Sequence, residues 1–139
     1  MKKSIVDSIF ELKSGCLSKE GEIQKKLKLS PAEFRGLIAL MPGEEMPYTV
    51  LSKKMGLTIS RGSRVIKKML EDKFLTETVN KDDKRILKVK LSAKGTKARN
   101  NLENMLSDCE QKILHKLTKS EREIFEKSLG KISEILYSY

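Results

Sequence analysis

Residues 58 to 72 form a segment whose apolar and charged side chains fall on opposite sides of a helical wheel. The apolar side consists of Ile59, Gly62, Val65, Ile66, Met69 and Leu70. The polar and basic side consists of Ser60, Arg61, Ser63, Arg64, Lys67 and Lys68. A helix of this kind buries its apolar side against another element and leaves its basic side in water. The segment therefore predicts a helix that is capped by Thr58, packs on a neighbour and exposes a row of cations.

A shorter helical segment precedes this helix. Residues 46 to 58 (MPYTVLSKKMGLT) predict a short helix with Thr49 as its N-cap and Gly56 as its stop. Two helices joined by a tight turn, the second with an exposed basic side, form the helix-turn-helix pattern. Such a helix can enter the major groove of DNA, where Arg and Lys reach guanine acceptors and phosphates. The alternative is a helical hairpin that serves only as a scaffold.

Two strand patterns follow the basic helix. Residues 74 to 79 (FLTETV) are rich in strand-forming residues, and residues 86 to 91 (ILKVKL) alternate apolar and charged side chains. The intervening turn, residues 80 to 85 (NKDDKR), joins them into a β-hairpin. The order helix, helix, strand, strand is that of a winged helix, with the hairpin as its wing.

The N-terminal third of the chain is predicted to be helical. Residues 1 to 12 have helical apolar spacing that weakens at Ser14-Gly15, and residues 20 to 29 continue the pattern. The two stretches form either one bent helix or two helices. A further helix is predicted to end at Pro42-Gly43. Its start is marked by an N-cap, a proline in the first turn and a capping-box acid: Ser30, Pro31 and Glu33.

The chain is also predicted to be helical from Gly95 to its end. One long helix runs to Leu117, and a capping box of Thr118 and Glu121 starts another. The apolar residues predicted to face inward from this last helix are Ile124, Phe125, Leu129, Ile132 and Leu136. Together with the N-terminal helix, these helices are expected to form a dimerisation arm as well as intramolecular core.

The net charge of +10 is concentrated in one part of the chain. Residues 53 to 97 contain fourteen Lys and Arg against five Asp and Glu, a net charge of +9. Residues 1 to 52 carry a net charge of +1, and residues 98 to 139 carry none. A concentrated basic block favours a polyanionic partner, most often nucleic acid. The alternative is a solvated basic face without a partner.

The sequence argues against several other classes of protein. The two cysteines, Cys16 and Cys109, make no disulfide framework or metal cluster, which fits a reducing cytoplasm. No apolar run is long enough to span a membrane, and the amphipathic start (SIVDSIFELK) predicts a surface helix instead of a signal peptide. With one histidine, His115, no nucleophile paired with a base and no phosphate loop, neither an enzyme nor a metal or other cofactor is expected.

Two stretches resemble the multiple antibiotic resistance regulator (MarR) family. Residues 51 to 75 (LSKKMGLTISRGSRVIKKMLEDKFL) are similar to the family's helix-turn-helix. Residues 80 to 95 (NKDDKRILKVKLSAKG) are similar to its wing, an Asp-x-Arg followed by an alternating strand and Leu-Ser/Thr-x-x-Gly. The residues that match the wing pattern are Asp83, Arg85, Leu91, Ser92 and Gly95. The chain departs from the family at Lys73, where Gly is frequent, and at Lys67, where an acid is common.

The resemblance implies a mainly α-helical chain with a small β-hairpin wing. Residues 30 to 95 would be the winged helix-turn-helix DNA-binding domain, and residues 1 to 29 with 96 to 139 the helical dimerisation region. It implies a homodimer that binds a near-palindromic operator in double-stranded DNA as a transcriptional regulator, and we expect a repressor. A winged helix that contacts protein or RNA is the alternative, although such modules often lose the basic recognition face and the wing Arg.

The resemblance also implies which residues bind DNA. They are Thr58, Ser60, Arg61, Ser63, Arg64, Lys67, Lys68, Asp83, Lys84 and Arg85. Arg64 matches the family's usual recognition-helix Arg, and Ser63 stands at its usual Thr. Arg85 would enter the minor groove while Asp83 orients it through an ion pair, since a carboxylate can hold the guanidinium before binding. The alternative is an ordinary exposed ion pair.

Many members of the family release DNA when a small molecule binds, so a small-molecule effector is a possible partner. Candidate pocket residues are Met41, Met46, Tyr48 and Met55, with ordinary core packing as the alternative. Some relatives sense oxidants through one cysteine. Cys16, expected near the end of the N-terminal helix between Lys13 and Lys19, is the candidate redox residue, and a small structural cysteine is the alternative.

Overall fold

The computed structural model describes residues 2–79 and 81–138, which form six helices and three short strands. The helices are α1 (Ile5–Leu27), α2 (Pro31–Ala39), α3 (Tyr48–Lys54), α4 (Ile59–Glu71), α5 (Ala93–His115) and α6 (Lys119–Tyr137). The strands are β1 (Met46–Pro47), β2 (Leu75–Val79) and β3 (Leu87–Leu91). The chain divides into two compact units, one ending at Leu102 and the other beginning at Glu103, so α5 contributes to both. In the described residues, none of the helices has the length and apolar character that crossing a membrane requires.

The N-terminal segment is one continuous helix, so the predicted weakening at Ser14-Gly15 is wrong. Gly15 lies in the middle of α1 and is exposed. An exposed helical glycine costs about 1 kcal/mol relative to alanine, which is too little to interrupt a long helix. A capping box also fixes the start of α1, because the Ser4 hydroxyl accepts from the Asp7 N–H at 3.0 Å.

The start of α2 agrees with its sequence signals. The Ser30 hydroxyl accepts a hydrogen bond from the Glu33 N–H at 3.1 Å, and the Glu33 carboxylate accepts one from the Ser30 N–H at 3.1 Å. Pro31 occupies the first turn of the helix. These local interactions are short-range in sequence, which is why they could be predicted without knowledge of the fold.

The predicted N-cap of α3 is wrong. The helix begins at Tyr48, its N-cap is Pro47, and Thr49 lies inside the first turn. The reason is the short strand β1, which the sequence analysis did not anticipate. Met46 is buried and pairs with Val89 of β3, and this pairing leads the chain directly into α3.

The strands form an antiparallel sheet in the order β1-β3-β2. The hairpin of β2 and β3 pairs Leu75 with Leu91 and Val79 with Leu87, in agreement with the predicted wing. The turn lies between them, and Asn80 is outside the described residues. The buried strand residues Leu75, Val89 and Leu91 face the same side of the sheet, so the base of the wing belongs to the core.

The core of the first unit is aliphatic, as the composition suggests. Its most deeply buried apolar side chains are Leu37, Leu40, Leu51, Met55, Ile66, Met69, Val89 and Leu102. They come from α2, α3, α4, α5 and the sheet, with Leu40 and Met55 at the C-caps of α2 and α3. The helix-turn-helix and the base of the wing therefore share one hydrophobic core.

The second unit contains the end of α5 and all of α6. The capping box predicted at Thr118 is present, with the Thr118 hydroxyl accepting from the Glu121 N–H at 3.1 Å. The apolar residues of α6 are not intramolecular core, however. Ile124, Phe125, Leu129 and Leu136 are between 38% and 63% exposed, so the prediction that they face inward within one chain is wrong for these four. Ile132 is half-buried. Helices as amphipathic as these two normally cover such side chains with another element.

Candidate nucleic-acid interface

The angle at which α4 is presented depends on a close approach between α3 and α4. Gly62 is buried, and a Cβ atom added to it would lie 1.9 Å from the hydroxyl oxygen of Ser52. Ser52 is itself buried and donates a hydrogen bond to the Tyr48 carbonyl at 2.7 Å, so it is held in place. The two helices can therefore pack this closely only because residue 62 has no side chain.

This packing leaves the basic side of α4 free. The buried residues of the helix are Gly62, Ile66 and Met69, and the bases Arg61, Arg64, Lys67 and Lys68 are all exposed. The Thr58 hydroxyl caps the helix by accepting from the Arg61 N–H at 3.2 Å. Of the other predicted contact residues, Ser60 is exposed and Ser63 is half-buried.

One residue departs from the predicted division of α4. Ile59 was expected on the buried side, but its side chain is 61% exposed. It lies in the first turn of α4, three residues before Gly62, where α3 makes its close approach. The helical wheel places Ile59 beside the apolar stripe, but a wheel does not show where along the helix the packing begins.

The turn of the wing brings Asp83 and Arg85 together as predicted. One carboxylate oxygen of Asp83 accepts from the Arg85 backbone N–H at 3.0 Å and from the Arg85 Nε at 3.3 Å. The Asp83 carbonyl also accepts from the Ile86 N–H at 3.0 Å. Arg85 nevertheless keeps 92% of its side-chain surface exposed, and Lys84 beside it is exposed. The turn thus holds a guanidinium group outward while its other donors stay accessible.

The Leu-Ser-x-x-Gly part of the wing pattern has a structural role. The Ser92 hydroxyl donates to the Lys73 carbonyl and accepts from the Gly95 N–H at 2.9 Å. A Cβ atom at Gly95 would lie 2.0 Å from the Phe74 carbonyl oxygen. Lys94 donates to the Asp72 carbonyl at 2.6 Å. Through these hydrogen bonds and this close packing, the motif holds the start of α5 against the segment between α4 and β2.

A polar contact that the sequence analysis missed joins α3 to the wing. The Tyr48 hydroxyl donates a hydrogen bond to the Glu77 carboxylate of β2. Partial burial of Tyr48, together with the hydrogen bond and the negative charge of Glu77, raises the pKa of Tyr48 above its ordinary value. Tyr48 and Glu77 are 29 residues apart in the chain, so no local pattern announces their contact.

Arg99 of α5 is a second residue that the sequence analysis missed. It is only 7% exposed, and one of its terminal nitrogens donates to the carbonyls of Leu37, Ile38 and Leu40 at 2.5 to 2.7 Å. These carbonyls lie at the C-terminal end of α2, where helical carbonyls lack partners and the helix dipole is negative. Arg99 thus links α5 to α2 through hydrogen bonds. The sequence indicated only that it is one of the charged residues between positions 98 and 139.

The candidate effector and redox residues are placed as follows. Met46 and Met55 belong to the core, Tyr48 is half-buried, and Met41 is 55% exposed. Cys16 is exposed in the middle of α1, not near its end as predicted, because α1 continues to Leu27.

Two further observations concern the redox prediction for Cys16 and the expectation of no metal site. Lys19, one of the two lysines proposed to act on Cys16, pairs with Glu22 at 3.2 Å. Among the described residues, no three His, Cys, Asp or Glu side chains gather as a metal site would require.

No family model and no curated protein matches the sequence of this chain, but solved structures match its fold over nearly its whole length. A mutant of MepR from Staphylococcus aureus gives a TM-score of 0.82 at 15% identity, covering 96% of this chain and 99% of that chain. Wild-type apo MarR from Escherichia coli gives 0.77 at 19% identity, covering 95% and 98%. MepR from S. aureus in a complex with DNA gives 0.79 at 15% identity, covering 96% and 98%.

MepR and MarR are MarR-family regulators, and their likeness to this chain at such low identity concerns the fold. The features that correspond to this fold are the six helices in their described order and the small antiparallel sheet whose hairpin follows α4. The motifs in residues 51 to 75 and 80 to 95 predict the helix-turn-helix and the wing of this fold. The chain therefore has the winged-helix fold of the MarR family of transcriptional regulators.

Proposed function

We propose that this chain is a MarR-family transcriptional regulator that binds double-stranded DNA sequence-specifically. The observation that carries the proposal is the orientation of α4. Its apolar side is locked on α3 at Gly62, and its four bases point outward. A helix with an exposed row of Arg and Lys matches the shape and charge of the major groove. MepR, which shares the fold, has been solved in a complex with DNA.

In this proposal α4 is the recognition helix. Arg64 lies near its middle and is exposed, so it is the residue that we expect to bond a base edge. The flanking bases Arg61, Lys67 and Lys68 would neutralise phosphates, with Thr58, Ser60 and Ser63 as polar contacts. Phosphate contacts position the protein, whereas base contacts specify the sequence.

The wing would supply the second contact, in the adjacent minor groove. A narrow minor groove has a strongly negative potential that attracts an inserted Arg. Arg85 is suited to this position because its side chain is exposed and already held by Asp83 at 3.3 Å. Holding the side chain beforehand reduces the rotamer entropy that is lost on binding. Lys84 would add a phosphate contact beside it.

The active form would be a homodimer that binds a near-palindromic operator, and we expect a cytoplasmic repressor without enzymatic activity. A two-fold protein that presents two recognition helices reads two half-sites separated by a helical turn of DNA. A small-molecule effector would release DNA by changing the distance between the two recognition helices. Oxidation of Cys16 remains a separate prediction, which fails if peroxide leaves operator affinity unchanged in both the wild type and Cys16→Ser.

The proposal is tested by selecting binding sites from random duplexes and measuring affinity across a salt series. We expect a palindromic consensus and a steep fall in affinity with salt, because bound cations release counterions from DNA. Arg64→Ala should lose about 1–3 kcal/mol at one base pair of each half-site and relax the preference there. Arg85→Ala should weaken binding and flatten the salt dependence.

A matched control is Lys131→Ala, which removes an exposed base from α6. It should leave both affinity and salt dependence unchanged. If no duplex is enriched, or if double-stranded RNA competes as well as the selected DNA, the proposed function is wrong. If Arg64→Ala weakens all duplexes equally, Arg64 contacts phosphate and does not read a base.

A further inference from the structure

The recognition helix exposes one large apolar side chain at its start. Ile59 is the first residue of α4 and keeps 61% of its surface in contact with water. Thr58, Ser60 and Arg61 around it are also exposed. Within the first turn of α4, Ile59 is therefore an apolar group surrounded by polar and cationic ones.

Neither packing nor helix formation explains an isoleucine at this position. The buried side of α4 begins only at Gly62, where α3 approaches. Isoleucine has a modest helix propensity, and the first helical position favours other residues. The N-cap function is already performed by Thr58, whose hydroxyl accepts from the Arg61 N–H. The side chain is thus available for a contact outside the chain.

The neighbouring charges indicate the kind of surface that Ile59 meets. Arg61, Arg64, Lys67 and Lys68 extend along the exposed side of the same helix, so the partner is a polyanion. The residues at the start of a recognition helix are the ones that reach base edges in the major groove. Among the nucleobases of DNA, only thymine presents an apolar group in the major groove, its C5-methyl group.

We propose that Ile59 is a specificity-determining residue that packs against the C5-methyl group of a thymine in each half-site. The inference rests on the proposed function and extends it from DNA binding to the identity of one base. In this inference, Ile59 recognises thymine through an apolar contact, which Arg and Lys cannot make with a methyl group. An apolar interface with another protein is the competing explanation, and it is disfavoured by the cations around Ile59.

The decisive experiment replaces thymine with uracil, one position at a time, in a selected duplex. This change removes only the methyl group and leaves every hydrogen-bonding group of the base in place. For the wild type, one symmetric pair of positions should be sensitive. Loss of one buried methyl group weakens binding by about fourfold, so replacing both half-sites should weaken it by about fifteenfold.

The same duplexes are then measured with Ile59→Ala. This variant should bind the thymine and uracil duplexes with equal affinity, because the side chain that contacts the methyl group is gone. The matched control is Ile38→Ala, which makes the same change at an apolar side chain of α2 that is 42% exposed. That variant should keep the full difference between thymine and uracil. Thermal unfolding of both variants verifies that they remain folded.

Two results would overturn the inference while leaving the proposed function intact. One is wild-type binding that does not change at any uracil position. The other is a thymine preference that persists unchanged in Ile59→Ala. Failure to select any duplex would instead overturn the proposed function, and the inference with it.

Discussion

Lys73 illustrates how a single residue can carry backbone strain. It lies between α4 and β2 with φ of 69°, in the left-handed region, at the position where the resembling family often has Gly. For a residue with a Cβ atom this conformation costs about 1–2 kcal/mol. The chain tolerates it because the Lys73 carbonyl is held by Ser92 and the following strand is paired.

Replacing Lys73 with glycine should therefore stabilise the protein. Relief of the strain exceeds the added flexibility of the unfolded chain, which leaves a net gain of about 0.5–1 kcal/mol. Urea denaturation of the wild type and Lys73→Gly measures the difference. Lys67→Gly is the control, because Lys67 is in the interior of α4, where glycine should be destabilising by about 1 kcal/mol. Equal losses at both positions would show that Lys73 is not strained.

Arg99 shows why some single residues cannot be predicted from sequence. Its partners Leu37, Ile38 and Leu40 are about sixty positions earlier in the chain, at |i−j| of 62, 61 and 59. An Arg in a helix is usually solvated, and only the packing of α5 against the end of α2 makes this one a buried hydrogen-bond donor. The contact depends on the completed fold, so no local pattern contains it.

At the scale of elements, sequence signals succeed where the determining interactions are local. Ser30, Thr58 and Thr118 cap their helices as predicted, because a cap involves residues only three positions apart. The hairpin is found because alternation and a polar turn are both contained in residues 74 to 91. β1 and the start of α3 were missed because the pairing of Met46 with Val89 joins residues distant in sequence.

The close approach of α3 and α4 makes Gly62 sensitive to any added side chain. Gly62→Ala places a Cβ atom within 1.9 Å of the Ser52 hydroxyl, so the helices must separate. Overpacking of this kind costs about 1–3 kcal/mol, and it should also weaken DNA binding by tilting α4. Thermal unfolding and affinity for a selected duplex measure the two effects.

Two further variants distinguish steric conflict from a general intolerance of alanine. Gly15→Ala, in α1 with no atom within 4 Å of the added Cβ, should stabilise the protein slightly. Ser52→Gly combined with Gly62→Ala removes the clashing hydroxyl and should recover part of the lost stability. The double variant could instead lose as much unfolding free energy as Ser52→Gly and Gly62→Ala lose together. In that case the contact between Ser52 and Gly62 is not the cause of the instability.

The hydrogen bond between Tyr48 of α3 and Glu77 of β2 makes the stability of the protein sensitive to alkaline pH. The folded state raises the pKa of Tyr48, whereas the unfolded chain has the ordinary value of about 10. Below that pH both states keep the proton, and the stabilisation is fully present. Above it the unfolded chain loses the proton first, so stability falls as the pH rises toward the folded-state pKa.

Tyr48→Phe should therefore reduce the loss of unfolding free energy between pH 9.5 and 11, a window set around the ordinary tyrosine pKa of about 10. Urea denaturation at each pH measures this slope for the wild type and each variant. Tyr137→Phe is the control, because Tyr137 is 90% exposed and should leave the slope unchanged. Identical slopes in the wild type and Tyr48→Phe would contradict a coupled Tyr48 and Glu77.

At the scale of the whole molecule, the candidate DNA-binding surface was predictable because it is continuous in sequence. Residues 53 to 97 hold nearly all of the excess charge, and the fold presents much of it on α4 and the wing. What composition could not reveal is how the surface is held in place. Tyr48 and Arg99 join elements that are far apart in the chain. Gly62 sets the close approach of α3 and α4, and Ile59 is exposed because α3 approaches later along α4.

The proposed dimer gives a final prediction. The apolar residues of α6 are exposed within one chain, as are Ile5, Val6 and Phe10 of α1. Several large apolar side chains exposed on one helix normally mark an interface. Leu129→Glu would place a charge in that interface, and burial of an unpaired charge costs several kcal/mol. We therefore expect the dimer dissociation constant to rise by roughly a hundredfold or more.

Sedimentation equilibrium measures this dissociation constant, with Ile38→Glu as the control. Leu129 and Ile38 are similarly exposed, at 38% and 42%, but Ile38 lies on α2 within the first unit. Leu129→Glu should also lose affinity for a full palindrome while keeping its affinity for a single half-site, since only a dimer links two binding events. A Leu129→Glu protein that stayed dimeric, or a loss of half-site affinity equal to the loss on the palindrome, would mean that α6 does not form the dimer interface.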